Sequence, residues 1–236
     1  MGIIYEPAGR AQEYETRAVN LYKGCPYGCK YCYVPGTMKK KAEDFRTTEE
    51  VKENCLKRIT EEAPKHEGQR VLLCFGCDPY QPIALTSRVT REAIRILGEA
   101  GCYPIILTKS AVLQDFDLLK QYRGEYGATL TFVDARDSRE WEPGAPLPHR
   151  RIEALKKANW YGIRTWVSLE PVIDPEQTLE LIDMTHSFVN VYKVGKLNHM
   201  KGSSDIDWVD FRNRVEEKLD HYCCRYYIKK DLQEAK

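Results

Sequence analysis

The chain alternates short apolar runs with longer amphipathic stretches. The apolar runs lie at 18–21, 71–75, 104–108, 128–133, 163–169 and 188–194. Each is followed by a stretch with helical spacing, at 47–62, 90–100, 113–122, 150–160, 175–185 and 207–221. The short runs are continuously apolar, as expected for strands that are covered on both faces. The pattern therefore predicts six strand–helix units, and a last β-like run follows at 224–228.

Strands that alternate with helices require a parallel sheet with right-handed crossovers. Six such units within 236 residues fit a partial (β/α)6 barrel better than a complete eight-stranded barrel. We therefore expect an α/β fold in a single domain, 1–236. Within it we expect an N-terminal extension (about 1–16), the barrel core (about 17–195) and a C-terminal helix and strand (about 196–236). In such folds the functional residues lie at the carboxyl ends of the strands.

Composition and charge exclude several classes of protein. A hydrophobic content of 42% is typical of a globular domain, and a net charge of +1 gives no overall attraction to nucleic acid or membranes. No apolar run approaches the roughly 20 residues that a membrane-spanning helix needs. The N-terminus lacks the basic segment and apolar core of a secretory signal. We therefore expect a cytoplasmic protein with no membrane partner.

The cysteines are informative through their spacing. The chain contains nine, an odd number that cannot pair fully, and disulfides are disfavoured in the cytosol. Cys25, Cys29 and Cys32 form a C-x3-C-x2-C triplet directly after the first predicted strand. Three thiolates on one loop can hold a four-iron cubane and leave its fourth iron open. The alternatives are a zinc site, for which the nearest histidine, His66, is far downstream, or three buried thiols.

Several segments around the triplet point to one family. They read NLYKGC at 20–25, DPYQP at 78–82, LTKS at 107–110, EPGAP at 142–146 and EPV at 170–172. From about residue 5 to residue 195 the chain resembles the spore photoproduct lyase-like branch of the radical S-adenosylmethionine (SAM) superfamily. The resemblance implies a barrel of the radical SAM type, with a 4Fe-4S cluster on the cysteine triplet and SAM at its open iron. It also implies reductive cleavage of SAM to a 5′-deoxyadenosyl radical, which abstracts a hydrogen atom from a substrate.

The resemblance implies that SAM contacts Tyr31 and Tyr33, whose aromatic faces suit adenine or the cluster edge. Gly76 and Asp78 follow the second predicted strand. Glycine allows a close approach of the backbone, and a carboxylate can accept hydrogen bonds from the ammonium of methionine. A plain turn is the alternative for these two residues, because Asp-Pro is a common turn pair.

Later strand ends supply further candidates. Lys109 ends the third predicted strand, and the resemblance implies an ion pair with the SAM carboxylate. Thr131 would bind ribose hydroxyls, and Glu170 would bind substrate or SAM unless it only caps the next helix. Glu142 and Arg151 bracket the loop before the fourth predicted helix, where they would form a structural pair or touch substrate.

The substrate stays open. Spore photoproduct lyases use a cysteine after the second strand to return a hydrogen atom, and Cys77 is a better candidate than Cys74, which lies within the apolar run. The local sequence departs from that of the true lyases, so repair of thymine dimers is an alternative to the modification of a base, a peptide or a small molecule. A different class is a non-catalytic metal-binding scaffold. For both Cys74 and Cys77 the alternative to a hydrogen donor is a small core or turn residue.

Two basic stretches leave a nucleic-acid substrate open. They are the lysines at 39–41 and the residues at 149–151 with 156–157. Basic patches beside a cleft can contact phosphates, although lysine runs usually lie on a solvated surface. A target base would have to be extruded from a duplex to reach the barrel. The expected partners are SAM and an electron donor such as flavodoxin or ferredoxin.

Overall fold

Strands and helices alternate along the described chain. The computed structural model describes residues 2–198, 200 and 205–235. Its strands are β1 (Ile4–Tyr5), β2 (Ala18–Val19), β3 (Tyr22–Lys23), β4 (Glu50–Val51), β5 (Arg70–Leu73), β6 (Tyr103–Thr108), β7 (Glu125–Thr129), β8 (Arg164–Val172), β9 (Val191–Lys196) and β10 (Arg225–Ile228). Its α-helices are α1 (Val34–Thr37), α2 (Ala42–Thr47), α3 (Cys55–Glu62), α4 (Pro82–Ser87), α5 (Val89–Glu99), α6 (Phe116–Gln121), α7 (Ala135–Trp141), α8 (Pro148–Trp160), α9 (Pro175–Thr185), α10 (Trp208–His221) and α11 (Lys230–Gln233).

The central sheet has the order β1-β2-β5-β6-β7-β8-β9-β10. All neighbouring strands from β2 to β10 are parallel, and β1 pairs antiparallel with β2. Within the described residues β1 and β10 do not pair, so the barrel stays open on that side. The predicted α/β partial barrel is thereby confirmed, with β10 as a seventh parallel strand. No helix in the described part of the chain is long and apolar enough to cross a membrane.

The inner face of the sheet carries its own small core. Ala18, Leu72, Ile105 and Trp166 pack together there, and no helix residue belongs to this cluster. Gly127 on β7 makes room for the large ring, because a Cβ atom at 127 would lie 2.3 Å from the Trp166 side chain. The larger apolar cluster lies on the outer face, where the helices cover the sheet. Side chains therefore fill the middle layer of the barrel interior.

Two predicted elements differ from the structure. The strand predicted at 128–133 is β7, which begins at the buried Glu125 because Arg70 neutralises this carboxylate at 2.6 Å. The helix predicted at 47–62 is only α3, preceded by β4. Asn54 takes a left-handed conformation with φ 53°, which a continuous α-helix cannot contain.

Residues 9–14, here called the N-terminal strap, bridge the two edges of the open sheet. The Glu13 carboxylate accepts hydrogen bonds from the Tyr227 hydroxyl at 3.0 Å and the Lys230 backbone N–H at 2.9 Å. The Lys193 ammonium on β9 donates to the backbone carbonyls of Glu13 at 2.9 Å and Tyr14 at 2.6 Å. The strap therefore connects the β1–β2 edge to β9 and β10, where strands of a closed barrel would pair.

The partly buried ammonium of Lys193 makes the folding stability depend on pH. Burial lowers the pKa of Lys193 from 10.5 to about 8. Between these two pH values the unfolded chain holds a proton that the folded chain has lost, so the free energy of unfolding rises with pH. We expect wild type to gain on the order of 2 kcal/mol relative to Lys193→Met between pH 8 and 10.5, measured by urea denaturation. Parallel pH profiles of the two proteins would contradict this.

Candidate functional site

The cysteine loop, residues 24–33, lies at the carboxyl end of the barrel and is clamped by α2. The backbone N–H of Cys25 donates to the Phe45 carbonyl at 3.0 Å. Gly24 has φ +70°, and a Cβ atom there would lie 2.0 Å from the Thr48 carbonyl oxygen. Only glycine satisfies both the left-handed backbone and this close approach. The short sequence after β3 thus places the first cysteine by backbone contacts.

The other side of the loop is held by the segment between α7 and α8. Lys30 donates its backbone N–H to the Trp141 carbonyl at 2.8 Å, and Gly144 donates to the Tyr27 carbonyl at 2.9 Å. A Cβ atom at Gly144 would lie 2.6 Å from the Pro26 carbonyl. The EPGAP segment therefore packs directly against the cysteine loop, although more than 100 residues separate them in the chain.

The three thiols lie near one another, and they are shielded to different degrees. Cys29 is buried, whereas Cys25 and Cys32 are partly exposed. Burial raises the pKa of the Cys25 thiol and raises that of Cys29 to about 11. In the described residues, no three His, Cys, Asp or Glu side chains converge on one ion position, as a zinc site requires. Three thiols on one loop are the donor set of a cubane, which binds each thiolate through a different iron.

Asp78 connects the ends of β5 and β6. Its Oδ1 accepts from the Thr108 hydroxyl at 2.6 Å and the Tyr80 backbone N–H at 2.8 Å. Its Oδ2 accepts from the Lys109 backbone N–H at 2.8 Å. Burial raises the pKa of this carboxyl in spite of these donors. The side chain thus fixes the turn after β5 and the start of the segment that carries Lys109.

Lys109 directs its ammonium towards the cysteine loop. Its Nζ lies 5.4 Å from the ring centroid of Tyr31, and it forms no hydrogen bond with another residue in the described ranges. Burial by itself would lower the pKa of Lys109. The neighbouring Cys29 and Glu142 groups favour the charged ammonium more strongly, so its pKa is raised above the usual value. This ammonium is therefore available to an anionic group bound beside the loop.

Tyr31 belongs to a buried network with Glu142 and Arg151. Its hydroxyl donates to the Glu142 carboxylate and lies 3.5 Å from the Thr131 hydroxyl. Glu142 and Arg151 form an ion pair at 2.6 Å, and both side chains are wholly buried. Burial alone would raise the pKa of Glu142, but the Arg151 and Lys109 charges hold it below its usual value. Arg151 also donates to the Thr129 carbonyl at 3.1 Å, which links the network to β7.

Tyr33 and Gly76 border the mouth of the barrel. The Tyr33 side chain is 56% exposed, and its ring centroid lies 6.5 Å from that of Phe75. The Gly76 backbone N–H donates to the Asn20 side chain at 2.7 Å. The residue after it, Cys77, is partly exposed at the same turn. These groups are placed at the open surface and do not join the buried network of Tyr31.

Glu170 lies in a second polar group, on the β8–β10 side. Its carboxylate accepts from the Tyr14 hydroxyl and from the Lys229 ammonium. The Tyr14 hydroxyl also lies 2.9 Å from that of Ser168, and the Lys229 Nζ lies 3.5 Å from the Tyr14 ring centroid. No sequence motif includes Tyr14 or Lys229. Tyr14 precedes the first predicted strand, and Lys229 follows the last β-like run. Only the strand-end position of Lys229 could have indicated it.

The comparisons with known proteins bear on this geometry. The family model described as the Radical SAM superfamily matches residues 19–189, most of the chain. The protein belongs to the radical SAM superfamily. An uncharacterised protein of Methanocaldococcus jannaschii is 30% identical over 183 residues, which cover 76% of this chain and 70% of the relative. An uncharacterised protein of Acidianus two-tailed virus is 27% identical over 230 residues, covering 86% of this chain and 75% of the relative.

Solved structures show the same fold. A complex of spore photoproduct lyase with dinucleoside spore photoproduct superposes with a TM-score of 0.74 at 14% identity, over 95% of this chain and 79% of the lyase. SuiB of Streptococcus suis bound to S-adenosylmethionine superposes with a TM-score of 0.64 at 18% identity, over 89% of this chain and 49% of SuiB. Membership of the radical SAM superfamily implies an iron–sulfur cluster and SAM as cofactors.

The basic stretches of this radical SAM protein divide into surface and core. Lysines 39–41, His149, Arg150 and the lysines at 156–157 are exposed, but Arg151 is wholly buried against Glu142. The expectation that Arg151 belongs to a phosphate-binding patch is therefore wrong, because its guanidinium is used within the core. Glu142 and Arg151 were expected either to form a structural pair or to touch substrate, and their buried ion pair supports the structural role.

A cavity of about 550 Å³ opens at the opposite end of the barrel. It lies at the amino ends of β8, β9 and β10, and its walls include Arg164, His186 and Arg225. It contains none of the residues predicted for the site. In barrels of this kind the amino-end face contributes to stability, and the chemistry is located at the carboxyl ends.

The Glu142–Arg151 pair gives a testable difference in stability. Arg151→Met would leave a buried carboxylate without its cation, and we expect a loss of about 3–5 kcal/mol in the free energy of unfolding. Lys30→Met removes the exposed Lys30–Glu140 pair, which spans 2.9 Å, and should cost at most about 1 kcal/mol. Urea denaturation of both variants measures this contrast. Equal losses would show that the buried pair does not stabilise the fold.

Proposed function

We propose that this protein cleaves SAM reductively at a 4Fe-4S cluster held by Cys25, Cys29 and Cys32, and that the resulting 5′-deoxyadenosyl radical abstracts a hydrogen atom from a substrate. The supporting observation is the clamped cysteine loop at the carboxyl ends of the sheet, in a chain of the radical SAM superfamily. When bound, the cluster would supply the electron that cleaves SAM. A small one-electron carrier such as flavodoxin or ferredoxin, in the cytoplasm, would be the source of that electron.

Three of the groups proposed to hold SAM, Lys109, Tyr31 and Thr131, lie together beside the cysteine loop. Lys109 is the candidate for its carboxylate, because this ammonium has no hydrogen-bond partner in the described residues and stands beside the loop. Thr131 and Tyr31 offer hydroxyls near the same position, and Tyr33 offers an exposed ring for adenine. Asp78 would act by positioning the turn that contains Gly76, since its carboxylate already accepts three hydrogen bonds.

The polar group around Glu170, on the β8–β10 side of the mouth, is proposed to contact substrate. Glu170 supplies an acceptor there, and Tyr14 and Lys229 supply donors beside it. Neighbouring donors and acceptors suit the polar edge of a nucleic-acid base, and the exposed lysines at 39–41 would suit its phosphates. Cys77 is the proposed hydrogen donor to the product radical. Repair of the spore photoproduct type is the more specific version of this proposal, and the modification of a peptide or small molecule is the alternative.

The decisive experiment measures 5′-deoxyadenosine. Protein reconstituted anaerobically with iron and sulfide should convert SAM to 5′-deoxyadenosine in the presence of dithionite, as quantified by chromatography. Replacement of Cys25, Cys29 and Cys32 by Ala should reduce the product to the level without protein, because the cluster loses its thiolates. Cys223→Ala removes an exposed thiol outside the loop and should retain the activity. A triple variant as active as wild type, or wild type that binds zinc and no iron, would refute the proposal.

The role of Lys109 can be tested by binding. Loss of a charge-assisted hydrogen bond costs about 1.5–3 kcal/mol, so Lys109→Met should weaken SAM binding by about tenfold or more. Lys120→Met removes an exposed lysine on α6 and should leave the affinity unchanged. Isothermal titration of reconstituted protein with SAM provides the comparison. Equal affinities for the two variants would show that Lys109 does not bind SAM.

A further inference from the structure

Two cysteines outside the cluster loop lie at the ends of one tight turn. β5 ends at Leu73, and residues 74–77 form a turn centred on Phe75 and Gly76. The first and fourth Cα atoms of such a turn lie within about 7 Å of each other. Disulfides join Cα atoms that are about 4.4–6.8 Å apart. The backbone therefore brings Cys74 and Cys77 to the separation that a disulfide requires.

The side chains also lie close together. Burial, followed by the neighbouring Cys77 thiol, raises the pKa of the Cys74 thiol. Cys74 has φ 63°, a left-handed conformation that residues other than glycine rarely adopt. Its backbone N–H donates to the Val19 carbonyl at 2.7 Å, which holds it in this conformation at the edge of β2. Backbone conformations of this kind concentrate at functional positions.

The two thiols differ in access. Cys74 is buried at 4% exposure, whereas Cys77 is partly exposed at the mouth of the barrel. An oxidant in solution can therefore reach only Cys77 directly. A reactive thiol at the surface with a second thiol behind it is the arrangement of redox-active cysteine pairs.

The surroundings hold the turn in place. The Gly76 backbone N–H donates to Asn20 at 2.7 Å, and the Asn20 amide donates to the Tyr5 hydroxyl at 2.7 Å. On the other side, Asp78 accepts from the Tyr80 backbone N–H and from the Thr108 hydroxyl on β6. Closure of a disulfide across this turn would need little movement of the backbone, since both ends are already positioned.

The other cysteines outside the cluster loop lack this arrangement. The buried Cys102 thiol donates to the backbone carbonyls of Ala63 at 3.5 Å and His66 at 3.2 Å. Cys223 and Cys224 are adjacent in sequence, so no turn brings them face to face. Among the described cysteines outside the cluster loop, only Cys74 and Cys77 combine C-x-x-C spacing with a turn between them.

We propose that Cys74 and Cys77 are a redox-active pair, a dithiol in the reduced protein that closes to a disulfide on oxidation. With a small disulfide such as oxidised glutathione, the Cys77 sulfur attacks one glutathione sulfur, breaks its S–S bond and releases reduced glutathione. The Cys74 sulfur then attacks the mixed disulfide at Cys77 and releases a second reduced glutathione. Two protein thiols lose two electrons and two protons, and one oxidised glutathione becomes two reduced molecules.

The pairing itself does not depend on the proposed function, but one consequence does. The disulfide removes the S–H group of Cys77 from the wall of the mouth. If Cys77 returns a hydrogen atom to a product radical, the reduced dithiol is the competent form. A cellular dithiol reductant would restore it.

The positions of the tryptic cleavage sites allow a direct assay on the wild-type chain. Trypsin cleaves after Arg70 and Arg88, and the peptide 71–88 contains Cys74 and Cys77 and no other cysteine. The folded protein is equilibrated in glutathione buffers of increasing oxidised fraction, alkylated and analysed by mass spectrometry. We expect the doubly alkylated peptide to give way to an unalkylated form about 2 Da lighter than the dithiol, through one two-electron transition. Glutathione on the exposed Cys223 serves as the internal control that the oxidant has reacted.

Two outcomes would overturn the proposal. One is a peptide 71–88 that stays doubly alkylated while Cys223 becomes glutathionylated. The other is a stable glutathione adduct on Cys77 of wild type without an internal disulfide. The order of attack is tested by single variants. Cys74→Ser should accumulate glutathione on Cys77, and in Cys77→Ser the buried Cys74 should react at least about tenfold more slowly than Cys77 does in Cys74→Ser.

Discussion

The buried ion pair between Glu142 and Arg151 is the contact on which the geometry of the site depends. Both side chains are excluded from water, and each contacts a different part of the molecule. Glu142 receives the Tyr31 hydroxyl from the cysteine loop, and Arg151 reaches from α8 to the carbonyls of Thr129 and Pro146. A buried charge is tolerated only when it is paired and hydrogen-bonded. The pair therefore fixes the loop, helix and strand relative to one another.

The open side of the barrel imposes a second constraint. A partial barrel leaves two sheet edges, and exposed edges are sites for unwanted pairing. Here the N-terminal strap and the segment after β10 bridge those edges, through Glu13, Lys193 and Lys229. The same contacts bring Tyr14 and Lys229 to Glu170 at the mouth. One set of residues thus bridges the two sheet edges and lines the β8–β10 side of the barrel mouth.

Much of the fold was predictable because its signals are local. Continuous apolar runs followed by amphipathic stretches indicate strand–helix units, and the parallel order of β2 and β5 to β9 follows from right-handed crossovers. The boundaries were less accurate where tertiary contacts override local preference. Glu125 begins a strand because Arg70 neutralises it, and β4 replaces the start of a predicted helix because it pairs with β3. Such pairings depend on residues far away in the chain.

The cysteine triplet, with its spacing and its flanking glycines, was evident from the sequence alone, and so was the family to which the chain belongs. These features are local, since the loop needs its glycines and thiols at fixed separations whatever surrounds them. The sequence could not show that Asp78 joins two strands, that Arg151 is buried or that Lys229 pairs with Glu170. Nor could it show that Cys74 is buried in a left-handed conformation while Cys77 is partly exposed. Those relations arise only when the strands align and the burial of each charge selects its partner, because the cost of an unpaired charge exists only in the folded interior.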